Sequence, residues 1–318
     1  MIRRYLREIS VAAATVALLL LLAVAKPQFF SGQNLRNILV TQSYVLVVAI
    51  GMTMVILARQ IDISVGSHFA ICGVVASLLA RAGVPLPLMI AGTLASGAVL
   101  GGINGLLVAG FRLPSIVVTL ATMVTLEQGI RWITGGEPVR NAPTFQWLSL
   151  GQSAGEWLVL ATAAAVLVLF AWGLRRLQAG RAVYATGSDP EAARLAGIRP
   201  DRVIFGVFVV MGMLTALAAI LNGIQSTQGD PTSGQGLGLQ AIAAVVVGGT
   251  AISGGRGTLI GTFVGFVLLG VIGPALIFLQ VEASWEKAIQ GAIILVAVAS
   301  DALNLRQRRN VGASLAAH

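Results

Sequence analysis

The chain contains few side chains that could carry out chemistry, and their spacing forms no catalytic or metal-binding motif. With His68, His318 and Cys72 as its only histidines and cysteine, the chain cannot assemble a conventional zinc site. A phosphate-binding loop is also absent, because Gly255 stands where the motif that begins at Gly249 requires lysine. The sequence therefore predicts no catalysis through histidine and no metal or cofactor bound by this chain. For His68 we expect a hydrogen-bonded position near a membrane surface.

Polar side chains within or beside the apolar runs are the second set of candidates. Asp62 lies where an apolar run stops, and Asn104 lies inside a glycine-rich run. A charged group at the centre of a bilayer costs about 2.5–3.5 kcal/mol on insertion scales, so each such residue needs a reason. For Asp62 we favour capping of the turn at 63–67 over direct contact with a solute. For Asn104 we favour a hydrogen bond to a neighbouring helix.

The composition indicates that membrane helices position these groups. Hydrophobic residues make up 56% of the chain and charged residues 10%, whereas soluble proteins contain about 25% charged residues. Several apolar runs approach or exceed the ~20 residues that cross a bilayer. The net charge of +9 is concentrated in short loops, where arginine sets orientation and meets anionic lipid, so it does not indicate nucleic acid binding. We therefore predict an all-α polytopic membrane protein.

About ten transmembrane segments are predicted, with both termini in the cytoplasm. Fifteen of the 21 Lys and Arg residues fall on one side of this arrangement, including those of the central loop at 176–202 and the basic tail at 301–318. The positive-inside rule places that side in the cytoplasm. Ala23-Val24-Ala25 has the form of a signal-peptidase site, but Lys26-Pro27 is a poor start for a mature chain, so we expect an uncleaved first span. The predicted segments are about 9–25, 38–58, 68–80, 86–109, 115–133, 157–174, 203–224, 239–252, 258–279 and 285–299.

Two helix breaks and two glycine triplets suggest an inverted repeat of the two halves. The break Ile-Asp-Ile-Ser-Val-Gly at 61–66 is echoed by Ile-Ser-Gly-Gly at 252–255. Three glycines at four-residue spacing follow each break and would line one helix face for close backbone contact. Chance similarity among segments rich in Gly, Ala, Val and Leu is the alternative. The glycines are Gly97, Gly101 and Gly105 in one half, and Gly257, Gly261 and Gly265 in the other.

The polar stretch at 180–202 predicts a short helix over 191–196. Ser188 is the expected N-cap, and Glu191 three residues later completes a capping box. Pro190 suits the first turn, and Gly197 suits the left-handed residue that ends the helix. A helix of this length is not stable alone in water. Either a groove on a partner protein or the lipid headgroups must therefore hold it.

Three motifs resemble those of permease subunits of ABC importers for ribose and related sugars, most closely those for rhamnose and autoinducer-2. They are Asp-Ile-Ser-Val-Gly-Ser at 62–67, the central loop at 180–198, and Ala-Ile-Ala-Ala-Val-Val-Val-Gly-Gly-Thr at 241–250 followed by Gly-Gly-Arg-Gly at 254–257. The resemblance implies a single transmembrane permease domain over 1–318, without ATPase activity, in the bacterial inner membrane. Ala58-Arg59-Gln60-Ile61 stands where many ribose-type permeases have Thr-Gly-Gly-Ile, which shifts the favoured solute toward rhamnose or autoinducer-2.

The resemblance also implies partners and sites. Cytoplasmic ATPase subunits would use ATP and Mg²⁺, a second identical or paralogous permease would complete a homo- or heterodimer, and a periplasmic binding protein would deliver a monosaccharide or similar polyhydroxylated solute. Membrane lipid would surround the chain, and no nucleic acid is involved. The coupling helix would correspond to Ser188, Asp189, Glu191, Ala192, Arg194, Leu195 and Gly197. The substrate pathway would include Asp62, Ser64, Ser67, Asn104, Thr119 and Thr122.

Other functions remain as alternatives. A branched-chain amino acid permease of the same superfamily tends to carry a longer cytoplasmic loop than 176–202. A secondary transporter working alone would use an ion gradient, but a proton-driven pump normally needs an embedded carboxylate relay, for which this chain offers little material. A membrane enzyme would need a catalytic cluster that the sequence does not contain.

Overall fold

The computed structural model describes residues 2–143 and 145–282, together with a few positions between 285 and 295. Two short strands, β1 (Val139–Arg140) and β2 (Gln228–Gly229), form an antiparallel pair, and 3-10 turns lie at Pro27–Phe30 and Gln146–Ser149. The remaining elements are the helices α1 (Ile2–Ala25), α2 (Gly32–Leu57), α3 (Val65–Arg81), α4 (Leu86–Gly105, continued by a π-helical turn at Leu106–Gly110), α5 (Ser115–Thr134), α6 (Gln152–Arg176), α7 (Gln178–Ser188), α8 (Pro190–Leu195), α9 (Pro200–Gln225), α10 (Leu237–Val247) and α11 (Leu259–Phe278).

Six helices in the described part of the chain are long and apolar enough to cross a membrane: α2, α4 with its π-helical turn, α5, α6, α9 and α11. Shorter apolar helices are Val11–Ala25 within α1, α3 and α10. Each of these coincides with a segment predicted from the sequence, so the all-α multi-pass architecture is confirmed. The tenth segment at 285–299 lies largely outside the described residues, and the tail at 301–318 lies wholly outside them. The number of spans, the inverted repeat and the side of the termini stay predictions.

Two long antiparallel helices, α2 and α9, form the centre of the bundle. Every residue of α2 from Val45 to Leu57 is buried. A helix segment buried on all sides needs no polar face, and this part of the sequence has none. Gly51 allows the close approach of α9, because a Cβ at this position would overlap the sulfur of Met211. Further along, the side-chain amide of Gln225 donates to the carbonyl of Val40 at 3.2 Å. The core therefore continues without a break from one end of the helix pair to the other.

Helix α4 packs against α9 through its backbone. A Cβ at Gly97 would overlap the carbonyl oxygen of Gly212, and a Cβ at Gly101 would overlap that of Phe208. Gly105, one turn further, faces Phe205 at a tighter distance than ordinary packing allows. The three glycines predicted to pack closely therefore lie on the α9 side of α4, where small residues let two helices approach.

The second glycine triplet is divided between a helix and the loop before it. Gly261 and Gly265 in α11 face the backbone of Gly248 and of Ala244. Gly257 is not on this face. The prediction that it would be was wrong, because Thr258 caps α11 by accepting a hydrogen bond from the Gly261 N–H at 2.9 Å. That cap fixes the start of the helix after Gly257, which has a φ of 154° and lies against the side chain of Thr250.

The bundle has two ends, which we name from the elements found there: the α8 end, with α7 and α8, and the β end, with β1 and β2. A segment that we call the returning segment, residues 230–236, leads from the β end back along α3. Gly229 faces Ser77 late in α3, whereas Gly234 faces Gly66 at its start. Helix α10 follows and has 11 residues, or about 16 Å at 1.5 Å per residue. It therefore begins part of the way through the bundle.

Candidate functional site

A buried polar cluster lies at the break between α2 and α3. Its members are Asp62, Ser64, His68 and Asn104, all with no exposed surface. The Ser64 hydroxyl is at the centre, since it donates to Asp62 Oδ1 at 2.6 Å and accepts from Asn104 Nδ2 at 2.8 Å. His68 Nε2 lies 3.4 Å from the same hydroxyl. We call this group the Ser64 cluster; it ties the helix break to α3 and α4.

Asp62 sets the local backbone at the break. Its Oδ1 also accepts the N–H of Ser64 at 2.9 Å, and the Ser67 hydroxyl donates to the carbonyl of Ser64 at 2.7 Å. Short side chains that bond to nearby backbone groups favour turns over continued helix. The chain therefore leaves helical conformation after Leu57 and resumes it at Val65. The capping role favoured for Asp62 is present, with Ser64 as the residue that it caps.

Three polar atoms around the Ser64 cluster have no hydrogen-bond partner among the described residues: Asp62 Oδ2, His68 Nδ1 and Asn104 Oδ1. A buried polar atom left unpaired costs about 1–3 kcal/mol, and native structures keep few of them. The paired centre fixes the side chains, while the unpaired atoms remain able to bond to a polar solute or to water. Since all four side chains are fully buried, these atoms can meet a solute only when the packing around the cluster opens.

Helix α5 adds two hydroxyl groups to this region. Ser115 Oγ accepts the N–H of Ile61 at 3.2 Å, and the Thr119 hydroxyl lies 3.3 Å from the carbonyl of Ile61. These side chains bond to backbone groups that the helix break leaves exposed. Thr122 lies on the next turn, half-buried, with its hydroxyl bonded to the carbonyl of Thr119 at 3.2 Å.

The structure therefore places five of the predicted pathway residues around one break, with Thr122 one turn away. The five are Asp62, Ser64, Ser67, Asn104 and Thr119. His68 was missed as a member of this group, and it is fully buried at the start of α3; its expected position near a membrane surface stays a prediction. The signal was its spacing of four residues from Ser64, which puts both on one face of a helix.

The second candidate is the exposed helix at the α8 end. Its N-cap is Asp189, whose Oδ1 accepts the N–H groups of Glu191 at 3.0 Å and Ala192 at 3.1 Å. The predicted cap at Ser188 was wrong, because Ser188 is the last residue of α7, a helix that the polar and glycine-rich sequence did not reveal. Gly197 has a φ of 82° and follows the helix, in the left-handed conformation expected of it.

Helix α8 presents a leucine surrounded by charges. Leu195 is 92% exposed, whereas Ala193 is the buried residue that attaches the helix to the bundle. Arg194 pairs with Glu191 at 2.7 Å and lies 3.7 Å from Asp201 at the start of α9. These exposed ion pairs contribute little stability, so their main effect is to hold the charges in a fixed pattern. A fixed charge pattern around one apolar side chain is suited to recognition by a protein groove.

A backbone contact that we call the Leu57 junction joins the α8 end to the end of α2, five residues before Asp62 of the Ser64 cluster. Gly187, the residue before Ser188, has no room for a Cβ because the carbonyl oxygen of Leu57 occupies that space. The same carbonyl accepts the N–H of Gly255 at 2.9 Å. A Cβ at Gly255 would in turn overlap the Ser188 hydroxyl. The ends of α2 and α7 and the turn between α10 and α11 therefore meet without intervening side chains.

Metal ligands are not grouped in the described part of the chain, where no three His, Cys, Asp or Glu side chains come together. The residues that do converge bear hydroxyl, amide, imidazole and carboxylate groups, which are hydrogen-bonding groups.

Comparison with known proteins identifies the family. The family model described as "Branched-chain amino acid transport system / permease component" matches residues 34–298. The ribose import permease protein of Escherichia coli strain K12 is 36% identical over 299 residues, which cover 90% of this chain and 92% of that protein. The ribose import permease protein of Haemophilus influenzae is 35% identical over 306 residues, 94% of each chain. The autoinducer 2 import system permease protein of Salmonella typhi is 36% identical over 315 residues, 96% of this chain and 88% of that one. No solved structure matches.

The range matched by the family model contains both candidate sites: the Ser64 cluster and α8. Several apolar helices lie within this range, which is consistent with a multi-pass protein of the inner membrane. The chain therefore belongs to the permease family of bacterial ABC importers.

Proposed function

We propose that this chain is the permease subunit of an ATP-driven importer for a monosaccharide or a similar small polyhydroxylated solute. The Leu57 junction is the observation that carries the proposal, because it links a helix exposed to a partner with a buried cluster able to bind hydroxyl groups. The related permeases for ribose import and for autoinducer 2 import support this solute class. The Arg59-Gln60 sequence before the break favours rhamnose or autoinducer-2 over ribose.

The energy for import comes from a separate subunit in this proposal. The chain has no phosphate-binding loop, so ATP and Mg²⁺ are bound by a cytoplasmic ATPase that docks on α8. The exposed Leu195 enters an apolar groove of the ATPase, and the charges around it select the partner. The docking residues are Ser188, Asp189, Glu191, Ala192, Arg194, Leu195 and Gly197.

Motion at the ATPase reaches the solute path through the Leu57 junction. Because Gly187, Leu57 and Gly255 meet through backbone atoms, a shift of α7 cannot be absorbed by rotation of side chains and must displace the end of α2. Asp62 follows Leu57 by five residues, so the displacement opens the Ser64 cluster. The hydroxyl groups of the solute then form hydrogen bonds that replace those lost between the side chains of the cluster.

The complete transporter contains further chains. The path along Asp62, Ser64, Ser67, Asn104, Thr119 and Thr122 is completed by a second permease, identical or paralogous. A periplasmic solute-binding protein delivers the solute at the β end, and the α8 end and both termini face the cytoplasm. Fixed polar groups in a path of this kind must bind strongly enough to admit a solute and weakly enough to release it.

Purification of the tagged chain from its native membrane in mild detergent tests this function. We expect a stoichiometric soluble ATPase in the same peak, and a second permease there would distinguish a heterodimer from a homodimer. A chain that emerges alone in every detergent, and that supports gradient-driven uptake in vesicles without other subunits, would contradict the proposal and favour a secondary transporter.

A further inference from the structure

A cavity of about 830 Å³ lies at the β end, separate from the Ser64 cluster. Its walls are the last turns of α3, the last turn of α5, and the segment 137–143 that includes β1. Small-molecule sites in proteins typically have volumes of about 300–1,000 Å³. The cavity therefore has the size of a small-molecule site. It lies at the end of the bundle opposite α8.

Polar groups from three different segments reach this cavity. Arg81 at the end of α3 and Arg140 in β1 supply guanidinium donors, and Glu137 supplies a carboxylate acceptor. Thr134 adds a hydroxyl from the last turn of α5. The cavity wall thus carries both positive and negative charges, and both hydrogen-bond donors and acceptors. A site of mixed sign suits a neutral solute whose hydroxyl groups both donate and accept.

Asn141 is the best-fixed polar side chain in the cavity wall. Its Nδ2 donates to the carbonyl of Gly223 at 3.1 Å and to that of Ser226 at 3.0 Å. These two bonds use its donor group and set the plane of the amide. Its Oδ1 is left without a partner among the described residues. Because this oxygen is buried, the amide acts by fixing the wall against the end of α9, and the exposed side chains Arg81, Glu137 and Arg140 are the polar groups that a solute meets.

We propose that this cavity is a binding station that holds a neutral polyhydroxylated solute before the solute enters the path to the Ser64 cluster. The proposal rests on the proposed function and assigns a second, outer site to the same solute. The apolar part of the wall, Val74, Leu78, Ile133, Pro138 and Pro143, covers the carbon face of a sugar ring. No aromatic ring is among the lining residues, so the solute is held weakly and can leave again.

The position of the station fits a path along α3. Leu78 and Arg81 line the cavity near one end of this helix, whereas Ser64 and His68 of the inner cluster lie at the other. The wall is also joined to the returning segment, because β1 pairs with β2 through Val139 and Gly229. That segment continues to Gly66 at the inner end of α3. A solute in the cavity therefore lies against the elements that lead to the inner cluster.

A solute fits this cavity better than a loop of the periplasmic binding protein does. Stable protein interfaces bury about 800 Å² on each partner over broad surfaces, and their centres are depleted of charge. Here two arginines and a glutamate surround a recess of small-molecule volume. Nevertheless, docking of the binding protein makes a different prediction from solute binding, and the same experiment separates the two.

Cysteine labelling of the full chain in detergent provides the test. Cys72, the native cysteine, is fully buried, so a cysteine introduced at Ala142 in the cavity wall is the reactive thiol. We expect rhamnose or ribose, at ~10 times its Kd, to slow maleimide labelling of the Ala142→Cys chain about tenfold, because only the empty cavity reacts. Leucine should not slow it. Leu78→Cys provides a second labelling site should Ala142→Cys fail to fold, and Ala196→Cys at the α8 end is the matched control.

The outcomes separate the station from the proposed function. Protection by sugar at the cavity but not at Ala196→Cys, and its loss when Arg140→Gln is added, would support the station. No protection by any sugar that the complete complex transports would overturn the station and leave the importer function intact. Protection by sugar-free binding protein alone would also overturn it, because the cavity would then be a protein docking surface. Failure of the complete, unaltered complex to transport any sugar would instead refute the function.

Discussion

The backbone N–H of Gly255 donates a 2.9 Å hydrogen bond to the carbonyl of Leu57. This bond joins the turn before α11 to the end of α2, although the two residues are almost 200 positions apart in the sequence. Gly187 of α7 packs against the same carbonyl. Three parts of the chain thus meet at one backbone atom, and we expect a displacement of one of them to move the other two.

Gly187→Ala tests transmission through the Leu57 junction. The added methyl group would overlap the Leu57 carbonyl, so α7 and α2 must separate. We expect the variant to retain its ATPase partner while sugar uptake in proteoliposomes falls about tenfold, equivalent to ~1.4 kcal/mol in coupling. ATP hydrolysis and uptake should be measured on the same vesicles.

Gly206→Ala is the matched control, because a Cβ at Gly206 in α9 meets nothing within 4 Å. Its uptake should stay unchanged, and helix stability should increase slightly, since alanine is a better helix former than glycine. Normal uptake by the Gly187→Ala transporter would refute the role of the junction.

Leu195→Asp tests docking on α8. Leu195 is 92% exposed, so the substitution leaves folding and membrane insertion of the isolated permease unchanged. Loss of an apolar anchor at the centre of an interface weakens binding by about 30-fold. We expect the ATPase to dissociate during affinity purification, whereas it stays bound to an Ala196→Ser variant. Equal recovery of ATPase with both variants would show that α8 is not the docking helix.

Removal of the Ser64 hydroxyl tests the energetics of the inner cluster. Ser64→Ala leaves Asn104 Nδ2 without its acceptor, whereas Asp62 Oδ1 loses the hydroxyl bond but keeps the backbone N–H of residue 64. We expect a loss of stability of about 1–3 kcal/mol for the unpaired amide of Asn104. Thermal unfolding in detergent, followed by size-exclusion chromatography, measures the loss.

The double variant Ser64→Ala with Asn104→Leu separates bonding from packing. Because Asn104 no longer needs an acceptor, the double variant should be less destabilised than the sum of the two single changes. Strict additivity would indicate that the Ser64–Asn104 bond contributes nothing to stability.

An ion pair in which only the carboxylate is buried gives an independent prediction about the β end of α2. Arg36 Nε lies 2.9 Å from Glu156 Oε2, and the glutamate side chain is only 4% exposed. Arg36→Met should destabilise the chain by on the order of 2–3 kcal/mol, less than for a fully buried pair because Arg36 is 41% exposed. Adding Glu156→Gln should restore part of that loss, since the amide still accepts a bond from Gln152. A further loss of melting temperature in the double variant would contradict this explanation.

The sequence predicted the membrane helices well because apolar runs and their ends are local features. The break after Ala58 and the position of Gly97 and Gly101 on one face follow from spacing alone, whereas the eighth segment, predicted to end at 252, ends at Val247. The short helix at 190–195 was also predicted, with its cap one residue away from the true cap at Asp189. The start of this helix depends on whether Ser188 or Asp189 accepts its first N–H groups. That in turn depends on where α7 ends.

Features that depend on tertiary contacts were not visible in the sequence. The sequence of α7 resembles that of a loop because Gly180, Thr186 and Gly187 are poor helix formers. In the structure, Gly180 packs against the backbone of α6 and Gly187 against that of α2. Ser64 and Asn104 are 40 residues apart, so their bond needs the packing of α3 on α4. The burial of His68 beside Ser64 likewise depends on the helices that pack around the start of α3, which no local pattern shows.

The returning segment imposes an order on the biogenesis of this protein. Helix α10, with 11 residues, is too short to enter the bilayer as an independent span of ~20 residues, and the polar backbone of 230–236 cannot face lipid. The contact between Gly234 and Gly66 exists only once α3 is in place. We therefore expect α10 to enter the bundle only after α3 has done so, and deletion of α3 should leave residues 230–247 accessible to proteases.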